Sequence, residues 1–171
     1  MKDSRIRKSV LCAMFAAMIC VATMVIRIPS VIGGYVNCGD IFVILCACLA
    51  GPLYGGIAAG LGSALADILA GYVSYAPGTA VIKAAMAVAC ALILRKKSKP
   101  VLFCTVGGVC AELIMIGGYF VYSAFILALG IGAAAEIPGN AVQGAVGIIG
   151  STLLYGMVRR NRELHRFLSF D

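Results

Sequence analysis

Asp67, Lys83, Glu112 and Glu136 stand in stretches of sequence that are otherwise apolar. An ionisable group among hydrocarbon costs about 2.5 kcal/mol or more, so each must meet a counter-charge, a hydrogen-bond partner or a ligand. Lys83 falls five residues into an apolar segment and Asp67 four residues from the end of another, at roughly 8 Å of depth for each. The two are therefore expected to pair, or one of them to meet a ligand. Glu112 sits near the middle of its segment, and Tyr119, seven residues on, shares its helical face. No base in the same segment answers Glu112, so it is protonated and hydrogen-bonded, or it meets Lys83 or a ligand.

A second constellation is amide-based. Glu136, Asn140 and Gln143 follow the i, i+4, i+7 pattern of one helix face, and each amide offers both a donor and an acceptor. Gly144 and Gly147 keep that face uncrowded. Hydrogen bonding between helices would account for them; so would a ligand. Lys83, Tyr119, Asn140, Gln143 and Glu112 all fall in one half of the apolar segments or near their middle. The adjoining loop from Gly33 to Asp40 supplies Tyr35 and Asn37 as further contacts. A few polar groups gathered in an apolar surround describe a small-molecule cavity.

Other chemistry lacks its residues. There is no phosphate-binding G-x-x-x-x-G-K-[ST] loop, and no Ser/His pair within the apolar segments. The only histidine, His165, is in the tail. Seven of the eight cysteines fall in apolar segments and act as small apolar side chains, so neither a metal site nor a disulfide framework is expected. No cofactor is expected.

The elements that must hold these residues follow from hydropathy. Of 171 residues, 62% are hydrophobic and 12% charged, and the mean hydropathy of +1.03 excludes a soluble fold with a polar surface. Proline and glycine divide the chain into helices near 9–28, 41–50, 54–71, 78–95, 101–127 and 137–159. The second is short for the ~30 Å hydrocarbon layer. The expected fold is an all-α bundle of six transmembrane helices in a single membrane domain, 1–171. Twelve of the 14 basic residues precede the first helix, follow the fourth or follow the sixth. By the positive-inside rule that side is cytoplasmic, with both termini inside. The same charges suit anionic lipid and give no support to nucleic-acid binding.

Small residues run in stripes. Gly56, Gly60, Ser63 and Ala64 mark the third helix, Gly144, Gly147 and Ser151 the sixth, and Ala13, Ala16, Ala17 and Cys20 the first. Such faces let helix backbones approach closely.

GGYVNCGDIFVI from Gly33, AGPLYGGIAAGLGSALADILAGY, YAPGTAVIKAAMA and EIPGNAVQGAVG from Glu136 resemble the substrate-binding S components of energy-coupling factor (ECF) vitamin transporters. The resemblance implies a six-helix subunit of a prokaryotic cell membrane that captures a vitamin or precursor outside the cell. It also implies partners, a transmembrane coupling subunit and two ATPase subunits, onto which the S component topples to deliver its ligand. The family's first-helix Ala-x-x-x-Ala contact with the coupling subunit maps onto Ala13 and Ala17. Thiamine-binding members stack their ligand on tryptophan, and this chain has none. The block from Gly33 to Ala87 looks most like the pyridoxine or hydroxymethylpyrimidine branch; riboflavin, pantothenate and queuosine precursors are the alternatives. A stand-alone channel or facilitator competes with this reading but lacks a charged ring or internal repeats. An intramembrane enzyme lacks a catalytic constellation, and none is expected.

Overall fold

In a computed structural model the described residues are 2–30, 34–94 and 99–169, without the side chains of 2–5. Gly33 and the basic residues Arg95, Lys96 and Lys97 lie outside them. A backbone surrounded by hydrocarbon must satisfy its own hydrogen bonds, and the apolar segments do so as helices. These are α1 (Lys2–Val25), α2 (Asp40–Leu69), α3 (Ala76–Leu94), α4 (Pro100–Val121), α5 (Ile137–Arg160) and the short α6 (Arg162–Leu168). A π-helical turn, Tyr122–Ile126, extends α4, and a 3-10 segment, Gly130–Glu136, leads into α5. Among the described residues, five helices are long and apolar enough to cross a membrane.

The second of these is doubled. Gly51 leaves the helical region at φ 74°, ψ −176°, and Pro52 restarts the helix. A Cβ on Gly55 would lie 3.1 Å from the Cα of Ala47, whereas eight residues of straight helix span about 12 Å. The chain thus turns back on itself at Gly51-Pro52, and the arms 40–50 and 52–69 correspond to the expected short second and full third helices.

Two features depart from the sequence expectation. The link between α1 and α2 is not plain coil: β1 (Arg27–Pro29) pairs antiparallel with β2 (Tyr35–Asn37), Ile28 opposite Val36. The exception to an all-α fold arises because β2 is partly buried against α1 and α5, where unpaired backbone is costly, and the exposed β1 supplies its partners. Beyond α5, Asn161 caps α6 by accepting from the Leu164 amide at 3.1 Å.

Glycines set the helix spacing. A Cβ at Gly62 would fall 2.4 Å from the Ala16 carbonyl of α1, and one at Gly60 2.8 Å from the Ala80 carbonyl of α3. These contacts put the backbones of α1, the second arm of α2 and α3 side by side. Phe15, Ile19, Ile44, Met86 and Met115 fill the interior, while Leu53, Leu61, Val81, Leu113, Val142 and Leu153 point outward, as suits a lipid-facing surface. Arg7 donates to the carbonyls of Arg166 and Phe167, both at 2.7 Å, so the start of α1 and the end of α6 share one side of the bundle.

Candidate functional site

At the opposite end, a cavity opens between the hairpin, α1, α2, α3, the end of α4 and the start of α5. Its floor is polar. Lys83, eight residues into α3, forms an ion pair with Asp40 at the first position of α2, and both are buried. Gln143 of α5 locks that carboxylate by donating its Nε2 to Asp40 Oδ2 at 2.6 Å. The Gln143 carbonyl accepts from the Asn37 backbone amide at 2.7 Å, and the Asn37 side chain accepts from the Gly39 amide at 2.8 Å. One amide side chain therefore pins both the hairpin and the ion pair. Lys83 Nζ also lies 5.6 Å from the Tyr119 ring centroid, and Tyr119 shares a 3.0 Å hydrogen bond with Thr79.

The walls and rim hold two further carboxylates. Asp67, near the end of α2, accepts from the Tyr35 hydroxyl of β2. Glu136 accepts from Tyr75 and from Ser123, each at 2.9 Å, and so ties the α2–α3 link to the π-helical turn. Above it Gly34 passes so close that a Cβ would lie 3.0 Å from Glu136 Oε1. The rings of Tyr35, Tyr72, Tyr75 and Tyr122 follow one another with centroids 4.7, 6.4 and 6.4 Å apart. Two buried polar atoms of the lining residues are left without a partner, Asp67 Oδ2 and Ser63 Oγ. Asn140 lines the same space.

The sequence matches the family model described as ECF-type riboflavin transporter, S component, over residues 3–160. The chain belongs to this family. It is also 42% identical over 144 residues, 82% of this chain and 94% of the relative, to a Pyrococcus woesei protein described as an uncharacterized protein in the gap 3′ region. A solved S component of a bacterial ECF transporter shares its fold, with a TM-score of 0.74 at 20% identity over 91% of this chain and 97% of that one. The protein is thus a membrane-embedded, substrate-binding S component of the ECF class, whose partners are a vitamin-like substrate and the ECF module.

In this S component, Tyr35, Asn37, Lys83, Tyr119, Asn140 and Gln143 all line this cavity. Glu112 does not. It lies two helical turns below Tyr119, about 10 Å toward the other end of α4, against Gly144 and Gly147 and beneath the floor. Both its carboxyl oxygens are buried without a hydrogen bond, and Lys83 forms its ion pair with Asp40 instead, so neither the expected hydrogen bond nor the contact with Lys83 is made. The expected Asp67–Lys83 pair is likewise absent, because Lys83 pairs with Asp40. In the sequence Asp40 only closes the loop that begins at Gly33. The hairpin carries it inward, and it packs beside Gly147, ten residues into α5 and about 15 Å from the start of that helix.

Sequence reasoning missed Thr23, Ser63, Tyr75 and Thr79 in the lining. For two of them a signal existed: Tyr75, just before α3, and Thr79 and Lys83 within it recur every fourth residue along one face. At the rim, burial first and the neighbouring Glu136 carboxylate second push the Tyr75 phenol up to about 12. Burial and Asp67 hold the Tyr35 phenol well above its usual range. Both hydroxyls stay protonated and act as donors at neutral pH.

Proposed function

We propose that this S component captures a small, flat, polar heteroaromatic vitamin or precursor, of pyridoxine or hydroxymethylpyrimidine type, from outside a prokaryotic cell. The cavity carries this reading: it is walled by hydroxyl, amide, carboxylate and ammonium groups, and two buried polar atoms in its lining have no partner. Buried polar groups without a hydrogen bond are costly, and a ligand supplying it gains the difference. Riboflavin is the second reading, favoured by the description of the matching family. Its dimethylbenzene edge calls for an apolar wall, which Val36 and the rings of Tyr35, Tyr75 and Tyr119 could offer.

In this reading the two arms of α2 count as separate crossings, making six, with both termini cytoplasmic and the cavity facing out. The Arg7 contacts with α6 support termini on one side, and the positive-inside rule makes that side the cytoplasm. The chain acts by binding, without catalysis. It delivers its ligand by toppling on a transmembrane coupling subunit driven by two ATPase subunits. Mass spectrometry of small molecules retained on the purified protein, followed by calorimetry against a vitamin panel, tests the reading. A single heteroaromatic ligand bound without nucleotide is expected; no binding at micromolar concentrations of any panel member overturns it.

A further inference from the structure

Charge in the cavity is unevenly satisfied. The lining holds one ammonium, Lys83, and its charge is already answered by Asp40 behind it. Of the lining carboxylates, Glu136 has both oxygens occupied, by Tyr75 and Ser123. Asp67 has one oxygen held by Tyr35, while the other, Oδ2, has no partner within hydrogen-bond distance; the Thr79 hydroxyl stands near this carboxylate but is bonded to Tyr119. Ser63 lies four residues before Asp67 on the same face of α2, is 2% exposed, and leaves its hydroxyl equally unpartnered. The unspent hydrogen-bonding capacity of the buried wall is thus an acidic oxygen with a hydroxyl one turn away, and no uncompensated cation faces the cavity among the described residues.

Resting on the vitamin reading above, we propose that Asp67 and Ser63 form the specificity-determining edge of the site. They accept from a ring N–H, an amine or a hydroxyl of a neutral or cationic ligand, and they exclude anionic forms such as phosphate esters. A phosphate brought to this wall would face Asp67 and Glu136 while Lys83, the one cation of the lining, is already neutralised by Asp40 and Arg27 stands exposed on β1 outside the lining; like charges in a partly desolvated site repel strongly. A donor edge would instead complete the two open valences. Tyr35 serves as the positioning residue: by occupying Oδ1 from the hairpin it leaves Oδ2 for the ligand.

The test uses matched pairs on the intact protein in detergent: pyridoxine and its 5′-phosphate, hydroxymethylpyrimidine and its phosphate, riboflavin and its 5′-phosphate. For whichever alcohol binds, its phosphate should bind about a hundredfold more weakly or worse. Asp67→Asn should weaken the alcohol by about ten- to a hundredfold and narrow the gap to the phosphate. Ser63→Ala, which removes only a hydroxyl, should weaken the alcohol several-fold and guards against a misfolded Asp67 variant. If the phosphate binds as tightly as its alcohol, or if the gap is unchanged in Asp67→Asn, the proposal fails while the vitamin reading stands. If none of the three alcohols binds, both fail.

Discussion

Lys83 of α3 and Asp40 of α2 form a buried ion pair that joins the two helices beneath the cavity, with Gln143 of α5 as the third member. Removing one partner of such a pair strands a charge in low dielectric, which costs about 3–5 kcal/mol. Lys83→Met and Asp40→Asn should therefore each lower stability strongly. The double variant Asp40→Asn/Lys83→Met should recover part of the loss, because it buries no unpaired charge. Thermal unfolding of the four proteins in detergent gives the coupling; simple additivity would show that the pair contributes nothing.

Asn140 and Gln143 look equivalent in sequence but differ in the structure. Asn140 lines the cavity, whereas both ends of the Gln143 amide are committed to Asp40 and the Asn37 backbone. Asn140→Ala should weaken ligand binding about tenfold, the equivalent of ~1.5 kcal/mol, with little change in melting temperature. Gln143→Ala should lower affinity and stability together. Calorimetry and thermal melts on both variants check the distinction, and identical behaviour of the two would remove it.

This contrast marks what was legible in the sequence. Lys83, Tyr119, Asn140 and Gln143 could be selected because polar groups in apolar helices stand out, and helical periodicity assigned their faces. Asp40 could not be placed, since a residue that begins a helix reads as interfacial unless the preceding loop is known to descend, and three-residue strands leave almost no pattern. Glu112 was misplaced for a different reason. Periodicity puts it on the face of Tyr119, but two turns of helix separate the cavity from the packing beneath it. The fold was more legible than the site: Gly51-Pro52 marked the break in α2, although its turning back required the contact between Gly55 and Ala47.

Gly147 supplies a packing test. A Cβ there would stand 2.7 Å from Glu112 Oε1 and 3.0 Å from the Cβ of Asp40. Gly147→Ala should force the floor apart and cost about 1–3 kcal/mol, the usual range for overpacking. Gly156→Ala, where the added Cβ meets nothing within 4 Å, should be neutral or slightly stabilising. Equal melting temperatures for the two variants would count against the close contact of α5 with Glu112.

Tyr75 predicts an alkaline limit. Its phenol keeps its proton to about 12 in the folded protein, against 10.0 for an unperturbed tyrosine. Between those values the unfolded chain has lost the proton and the folded chain still holds it, so stability falls as pH rises through this window. Below 10 the contribution is constant. The melting temperature of Tyr75→Phe should accordingly fall less steeply than that of the parent above pH 10, and parallel curves would show that Tyr75 does not titrate with folding.

The last prediction separates capture from delivery. Ala13 and Ala17 are both exposed on α1, with Val10 and Val21 on the same outward strip, while Ala16 on the adjoining face packs against Gly62. The first pair is thus free for a partner and the third alanine is not. Replacing Ala13 and Ala17 together with Leu should abolish uptake and copurification of a coupling subunit, because small residues are what permit close backbone approach. Ligand affinity of the isolated protein should stay within about threefold, less than ~0.7 kcal/mol, since neither residue lines the cavity. Ala16→Leu is the contrasting variant: it should destabilise the bundle by driving α1 from α2. Loss of ligand binding along with uptake in the Ala13/Ala17 variant would mean that this strip supports the fold. Full uptake would remove the docking assignment, and uptake that also proceeds without ATP would favour a stand-alone facilitator.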